Sequence, residues 1–205
     1  MEKINPPLPL GYSPVPPGKL ANVVTCLEML ERPPARPAPP ASGLSVEHWP
    51  EPTPEAYREL FRRVGEDWMW VSRLVMPDEE LAAIVDDPLV EVHALTDGRQ
   101  RLGLLELDFR KDGECELAFF GLVPEAIGAG AGRLLMNAAI ERAWSKPINR
   151  FWVHTCHFDS PAALPFYQRS GFRPYAFMVE VCDDPRLTGE MRRDAAGHVP
   201  LIERS

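Results

Sequence analysis

Residues 122–135 of the 205-residue chain read LVPEAIGAGAGRLL, and this stretch decides the fold. An apolar strand pattern leads into it. The residues that follow it, Met136, Ile140, Ala143 and Trp144, recur at helical spacing. Glycines in the intervening turn let a phosphate approach the backbone, and the N–H groups at a helix start bind anions without a side chain. The stretch predicts a strand, an anion-binding turn and a helix over about 131–145.

Two common phosphate-binding loops fit this turn poorly. A Walker A loop requires a lysine followed by serine or threonine after its last glycine, whereas here Gly132 is followed by Arg133 and Leu134. A dinucleotide fingerprint requires GxGxxG in a parallel βαβ unit. The spacing here is GxGxG, and the preceding strands are patterned as antiparallel hairpins. A strand–helix turn without a ligand remains the alternative.

The strands before the turn are predicted from their composition and their connections. Segments 89–95, 101–109 and 114–123 are strand-like and are joined by Asp-Gly pairs at 97–98 and 112–113, a strong hairpin signal. They predict an antiparallel meander. Upstream, 43–49 is strand-like, Thr53-Pro54 starts a helix, and Pro77-Asp78 starts another.

Downstream of the turn the pattern continues as strand, helix and strand. Residues 150–158 predict a strand and 172–182 the last strand or strand pair. Between them we expect Ser160 to cap a helix that ends at Gly171. Because Pro165 lies within it, that helix either bends or starts later than Ser160.

The N-terminal region carries one strand of unusual apolarity. Residues 21–30 read ANVVTCLEML, with apolar side chains on both faces, as expected for a strand that is covered on two sides. We expect it to join the edge of the sheet or to pair with another subunit, because an unpaired apolar strand aggregates. A polyproline linker at 31–41 follows it. The predicted division is an N-terminal extension at 1–42, an α/β domain at 43–183 and a tail at 184–205, for which the sequence predicts no structure.

Composition narrows the class of partner. The net charge of −8 argues against nucleic acid and favours a cationic small molecule. No apolar run approaches the ~18 residues that span a membrane, and the start of the chain does not resemble a signal peptide. Four dispersed cysteines suit reduced thiols. We expect a cytoplasmic protein without nucleic-acid or membrane partners, either monomer or homodimer.

The turn resembles motif A of the GNAT superfamily of acyl-CoA-dependent N-acetyltransferases. In that motif, backbone amides of the turn bind the pyrophosphate of coenzyme A. The resemblance implies acetyl-CoA as cosubstrate, no metal, and a cofactor site formed by residues 127–133. These are Ile127, Gly128, Ala129, Gly130, Ala131, Gly132 and Arg133. Ile127 stands where the family usually has Arg or Gln, and Ala129 replaces the usual polar residue.

A second motif follows in the order that the family requires. ALPFYQRSGF at 163–172 resembles the A-x-x-x-Y-x-x-x-G-F helix end of the superfamily, with Tyr167 and Gly171 in the matching positions. Ser160 stands where members often place an Asn that contacts the pantetheine arm. The two motifs together imply an α/β (α+β) fold, with a mixed, mostly antiparallel sheet flanked by helices and preceded by an extra N-terminal strand.

The reaction defines what the catalytic side chains must do. A protonated amine needs a base, and the departing thiolate needs at most a weak acid. Tyr167 matches the family's usual phenol and is our candidate acid. Glu116 is the candidate base. It matches a base in some members and, in the absence of a bulge, shares a strand face with Ala118, Phe120 and Leu122. Glu106 and Asp108 on the neighbouring strand are rivals.

The remaining candidate roles are an oxyanion donor and an acceptor pocket. A backbone N–H of Leu122 or Val123 is positioned to stabilise the oxyanion. Trp68 and Trp70 lie between the first two helices, where members build the acceptor pocket. His154, Cys156 and His157 do not suggest a metal, because strand alternation separates them.

The leading interpretation is acetyl transfer to a primary amine of a small molecule or peptide. The alternative is an acyl-CoA-binding sensor or scaffold module without turnover, which the departures at Ile127 and Ser160 leave open. A third possibility is an interaction protein that acts through its N-terminal region.

Overall fold

The computed structural model describes residues 5–34, 36–37, 43–128 and 130–203. Within them, seven strands form one sheet: β1 Lys19–Met29, β2 Ser45–His48, β3 Val90–Thr96, β4 Arg101–Asp108, β5 Glu114–Leu122, β6 Arg150–Cys156 and β7 Arg173–Asp183. The α-helices of the same residues are α1 Pro54–Gly65, α2 Ser72–Val75, α3 Asp78–Val85, α4 Ala131–Ala143, α5 Ala163–Ser170 and α6 Pro185–Thr188.

The predicted meander forms the first half of the sheet. Strands β2, β3, β4 and β5 are antiparallel neighbours in that order. Gly98 and Gly113 in the two predicted hairpin turns have φ of 84° and 70°, the left-handed conformation that glycine allows without strain. Thr53 caps α1 through its side-chain oxygen, which accepts the Ala56 N–H. Local sequence signals therefore predicted this half correctly.

The N-terminal strand lies inside the sheet, not at its edge as we expected. The sheet order is β2-β3-β4-β5-β6-β1-β7, and β1 is antiparallel to both of its neighbours. Leu27 and Met29 are buried at 0% and 3% exposure. Both faces of β1 are apolar because both are largely covered. Leu27 and Met29 belong to the main core, and Leu20 packs with residues of the C-terminal tail. We expected β1 to pair either with the chain's own sheet or with a second subunit. In the structure it pairs with the chain's own sheet.

Two layers of helices enclose the sheet. On one face α1 packs on β4 and β5, where Phe61 meets Phe119 with ring centroids 4.8 Å apart. On the other face α4 and α5 pack, and Phe166 lies 5.8 Å from Phe120. The α/β (α+β) fold, with its mostly antiparallel sheet and an extra strand before the core, is confirmed.

Helix α5 begins later than a Ser160 cap would place it. Its first residue is Ala163, and no side chain caps it. Ser160 instead accepts the Ala162 N–H with its hydroxyl and the Ala163 N–H with its carbonyl. Pro165 then falls in the first turn, where its missing N–H costs no helical hydrogen bond. The prediction of a Ser160 cap was wrong, and the alternative of a later start is confirmed.

The segment after β7 folds back onto the body of the protein. Arg186 and Asp184 form a buried ion pair at 2.8 Å, and Arg186 also donates to the Val199 carbonyl. Ala196 and Val199 pack with Leu20 and Phe158 in a second, smaller core. The tail therefore covers the end of the sheet where β1 and β7 lie.

Candidate active site

Strands β5 and β6 are neighbours over a short distance and then part. They pair in parallel between Glu114–Glu116 and Arg150–Trp152. Beyond that point a cavity of about 600 Å³ opens between them. The Val123 N–H donates to the Leu102 carbonyl at 2.9 Å. Because successive N–H groups of a strand point in opposite directions, the Leu122 N–H faces the gap. Of the two predicted oxyanion donors, the Leu122 N–H points into the gap, whereas the Val123 N–H is hydrogen-bonded to β4.

The glycine turn next to this gap has the geometry of an anion site. Gly128 and Gly130 have φ of 105° and 85°, and Gly130 precedes α4 without a side-chain cap. The Ala131 N–H donates to the Gly128 carbonyl at 3.1 Å. The next two N–H groups, of Gly132 and Arg133, have no acceptor among the described residues, as expected at a helix start. Ala129, also predicted to bind cofactor, lies outside the described residues.

Arginines gather beside the same turn. Arg133 donates to the Ser170 hydroxyl at 3.1 Å and lies 5.1 Å from the Phe166 ring. Burial lowers the pKa of Arg133, and the positive charges of Arg36 and Arg169 lower it further. Arg36 is held nearby, since its carbonyl accepts the Asn137 side-chain amide at 2.8 Å. Three cations that repel one another at a helix start fit a ligand with several phosphate charges.

Sequence reasoning missed Arg36 and Arg169 at this site. No spacing rule connects a residue of the proline-rich segment to the α4 start, because tertiary packing alone brings them together. Arg169 carried a weak signal, since it lies two residues after the predicted acid on the same helix.

Tyr167 lies on the floor of the cavity and is 7% exposed. Its ring contacts Phe120, Phe166 and Phe172 edge-on, with centroids 5.8 to 6.1 Å apart. Burial, and secondarily the negative charge of Asp159, raises its pKa well above the usual range. The phenol therefore keeps its proton at neutral pH, as a general acid must.

A bulge in β5 changes the face on which Glu116 lies. Glu106 pairs with Phe119 and Leu107 with Leu117, so Ala118 is an extra residue. Cross-strand partners share a face. Glu116, opposite Asp108, therefore shares the α1 face with Phe119. The expectation that Glu116 shares a face with Ala118, Phe120 and Leu122 was wrong.

Glu116 nevertheless lines the cavity, at the point where the strands part. Its Oε1 lies 3.7 Å from His154 Nε2 on β6. Residues of both sheet faces, among them Phe119 and Phe120, line the cavity, because it extends through the gap between the strands. Glu116 can therefore reach the cavity from the α1 face.

Each of the two rival carboxylates, Glu106 and Asp108, is hydrogen-bonded to an arginine. Glu106 is fully buried and accepts hydrogen bonds from Tyr57 and Arg73. Asp108 is held by the Arg110 guanidinium at 2.5 to 3.0 Å. Burial acts to raise the pKa of Asp108, but its hydrogen bonds with Arg110 prevail and the pKa is lowered. Both carboxylates are therefore already bound to an arginine, and of the two only Asp108 lines the cavity.

Asp159 is a carboxylate of the cavity that sequence reasoning missed. It accepts the Trp70 indole N–H at 3.3 Å, the Thr155 hydroxyl at 2.5 Å and the Cys156 N–H at 3.0 Å. It fixes the predicted acceptor residue Trp70 against the carboxyl end of β6. The available signal was its position three residues after that strand, where polar side chains collect at a site.

Trp68 lies on the tail side of the cavity. Its ring is 5.6 Å from that of His198, whose Nε2 is 2.9 Å from the Phe158 carbonyl. Arg192 pairs with Glu66 at 3.0 Å beside it. The tail, for which the sequence predicted no structure, thus packs against the residues of this wall.

The structure brings most of the predicted site residues together. The predicted residues that line the cavity are Asp108, Glu116, Leu122, Ile127, Gly132, Ser160, Tyr167, Trp68 and Trp70. Gly128, Gly130, Ala131 and Arg133 lie beside it, in the turn and at the α4 start.

No group of three His, Cys, Asp or Glu side chains in the described part of the chain is placed to hold a metal ion. No helix of the described residues is long and apolar enough to cross a membrane.

Comparison with protein families and solved structures supports the motif resemblance. The model of the acetyltransferase (GNAT) family matches residues 44–172. A search of curated proteins found no match.

The solved structures share the fold at low sequence identity. A GCN5-related N-acetyltransferase from Sphaerobacter thermophilus superimposes with a TM-score of 0.57 at 16% identity, covering 84% of this chain and 53% of that one. One from Kribbella flavida gives 0.53 at 17%, covering 84% and 63%. An aminoglycoside acetyltransferase from an uncultured soil metagenomic sample, solved in complex with sisomicin, gives 0.53 at 17%, covering 64% and 90%. This chain spans less than two thirds of the length of the first two proteins.

Proposed function

Because the chain belongs to the GNAT family of acetyltransferases, we propose that it transfers an acetyl group from acetyl-CoA to a primary amine of a small molecule or peptide. One observation carries the proposal. The gap between β5 and β6 opens beside the α4 start, whose Gly132 and Arg133 N–H groups have no acceptor among the described residues, and a buried, protonated phenol lies within it.

The residues present fit the cofactor. The Gly132 and Arg133 N–H groups and the guanidinium groups of Arg133, Arg169 and Arg36 suit its phosphates. The gap between the strands suits its extended arm. When bound, acetyl-CoA supplies an activated thioester carbonyl.

Each catalytic role is assigned to one group of the chain. Glu116, directly or through a water molecule, takes the proton of the ammonium, which frees the nitrogen to attack the carbonyl carbon. The Leu122 N–H donates to the carbonyl oxygen as negative charge develops on it. When the C–S bond breaks, Tyr167 gives its proton to the sulfur. The proton that the nitrogen loses as the amide forms restores the phenol, and Glu116 releases its own proton to solvent.

The cavity supports a cationic acceptor. Glu116 and Asp159 contribute negative charge, and the lining also includes Trp68 and Trp70, whose residue type attracts ammonium groups. The net charge of −8 acts in the same direction at long range.

The test is thiol release from acetyl-CoA in the presence of a panel of primary amines. We expect amine-dependent release by the wild type and a kcat lowered by up to ~10²-fold in Tyr167→Phe, which removes only the hydroxyl. Tyr175→Phe, at a tyrosine 47% exposed on β7, is the matched control. A kcat of Tyr167→Phe within twofold of wild type would leave Tyr167 as a packing residue. Acetyl-CoA binding without release for any amine would instead favour a sensor or scaffold module.

A further inference from the structure

Strand β7 forms one border of the sheet, and its outer edge is open. On its inner side it is paired with β1 along its whole length, from Arg173 to Asp183. No strand among the described residues pairs with its other side. An unpaired edge is a template on which another strand can add. The outer edge of β7 is therefore a candidate interaction surface.

Two hydrogen bonds show which backbone groups of β7 face outwards. The Val23 N–H on β1 donates to His157 Nδ1 at 3.0 Å, on the side of β6. Val23 therefore turns its backbone away from its partner Val179. Because opposite residues of an antiparallel pair either both face each other or both face away, the N–H and C=O of Val179 point to the open edge. The Asp184 N–H bonds to the Gly18 carbonyl on the inner side, as this alternation requires.

Only one end of the open edge is protected against pairing. Cys26 is opposite Ala176 and Leu27 is opposite Pro174, so Tyr175 is an extra residue and the strand is bulged there. Pro174 in addition has no N–H to donate. A bulge and a proline are both features that prevent edge pairing. Neither occurs in the part of β7 after Ala176, where the register with β1 is unbroken.

This unprotected part carries exposed apolar side chains on one face. Phe177, Val179 and Val181 alternate along the strand and are 75%, 47% and 54% exposed. Val23, opposite Val179 on β1, adds a fourth side chain that is 49% exposed. A contiguous apolar patch on a monomer commonly marks an interaction site. The patch fits a partner that supplies another apolar strand.

The charges of β7 favour a second copy of the same strand in antiparallel orientation. Arg173 lies at the start of the strand, whereas Glu180 and Asp183 lie near its end. Two antiparallel copies place the basic start of each strand beside the acidic end of the other, and a parallel arrangement places like charges together. The strand is therefore complementary to itself in both apolar pattern and charge.

We propose that two copies of the chain form a dimer in which β7 pairs antiparallel with itself about a twofold axis at Val179. Val179 then faces its own copy and Phe177 faces Val181 of the second copy, so that the outward backbone groups of all three meet. Aromatic and β-branched residues opposite each other stabilise a sheet. An axis one residue later places Glu180 opposite itself, and an axis one residue earlier draws the bulge at Tyr175 into the ladder. The dimer does not depend on the proposed acetyl transfer.

The first test is sedimentation velocity of the full chain over a range of concentrations. We expect a reversible dimer, and we expect Val179→Lys to raise its dissociation constant by at least about tenfold, because two ammonium groups then face each other across the axis. Leu89→Lys is the matched control, since Leu89 is also 47% exposed but lies before β3, and it should leave the dissociation constant unchanged. Circular dichroism checks that the variants are folded.

Val181→Lys is a second variant that decides the question if Val179→Lys does not fold. A wild type that stays monomeric up to about 0.5 mM, a Kd range in which association is negligible, would overturn the proposal. A dimer that both lysine variants leave intact would overturn it as well, because the contact would then lie on another surface.

The second test concerns the register. Opposite residues of a hydrogen-bonded antiparallel pair have Cα atoms about 5.5 Å apart, so Val179→Cys brings two thiols of the dimer together. A short bismaleimide should link this variant into covalent dimers, and should link Leu89→Cys no more than the wild type with its own four cysteines. A dimer in which Val179→Cys is linked no more than Leu89→Cys would overturn the pairing about Val179.

Discussion

The buried ion pair between Arg73 and Glu106 gives a sharp prediction of stability. Glu106 on β4 is fully buried and accepts from Arg73 Nη2 at 2.6 Å and from the Tyr57 hydroxyl. Arg73, on α2, is 9% exposed and lies 5.1 Å from the Phe119 ring. The pair joins α2 to the sheet immediately beside the acceptor side of the cavity. We therefore expect Arg73→Met to destabilise the protein strongly.

The magnitude follows from what Arg73→Met leaves behind. Methionine retains most of the apolar contact, but the carboxylate of Glu106 loses its charge partner in a site without solvent. Removing one partner of a buried pair costs about 3–5 kcal/mol. For a chain of this size that corresponds to a fall in melting temperature of roughly 6–20 °C. Adding Glu106→Gln to Arg73→Met removes the buried charge, and we expect the double variant to recover part of the loss.

Urea unfolding followed by tryptophan fluorescence measures these differences. Arg110→Met is the matched control. Arg110 pairs with Asp108, which lies on β4 like Glu106, but the Arg110 side chain is 41% exposed. An exposed pair contributes about 1 kcal/mol or less. If Arg73→Met cost no more than Arg110→Met at an equal m-value, the pair would not contribute to stability as argued. A double variant no more stable than Arg73→Met alone would exclude the uncompensated charge as the cause.

Three further predictions test the turn, the inserted strand and a charge cluster. Gly130→Glu should abolish acetyl-CoA binding in calorimetry, because a carboxylate would face the phosphates and a Cβ would strain a φ of 85°. Deletion of residues 1–31 should give an insoluble or strongly destabilised protein, because it removes an interior strand. Hydrogen bonding to His93, and additionally to Lys146, lowers the pKa of Glu91 from 4.5 to about 2. Its stabilising effect is therefore complete above pH 4.5 and lost as the pH falls towards 2, so Glu91→Gln should lower the melting temperature at pH 7 and not at pH 2.

For each of these three predictions, a specific result would contradict the reasoning. Gly98→Glu, at a glycine with φ of 84° in the β3–β4 turn, is the control for Gly130→Glu, and equal acetyl-CoA affinities in the two variants would remove the basis for the cofactor turn. A soluble truncation with wild-type melting temperature would show that β1 is dispensable. A melting difference for Glu91→Gln that persisted at pH 2 would assign the effect to packing.

Local signals in the sequence predicted most of the elements and the conformation of the glycine turn. The Asp-Gly turns, the Thr53 cap and the glycines at 128 and 130 act through conformations that depend on neighbouring residues only. Both glycines adopt the positive φ that the anion-binding turn requires. The ordered pair of motifs around Gly130 and Tyr167 was sufficient to predict the family, because each motif lies within one short segment.

Pairings between distant segments were decided by tertiary structure alone. The apolar faces of β1 predicted burial, but they are compatible with any position that covers both faces, so they could not specify the place between β6 and β7. The extra residue Ala118 reversed the face of Glu116, since strand alternation holds only while the register is unbroken. The contact of Asn22 with Glu180, 158 positions away, exists because β1 entered the sheet beside β7. The sequence by itself determined the elements and the glycine turn, because those depend on local conformation. The folded chain determined which carboxylates face the cavity, because that depends on which strands become neighbours.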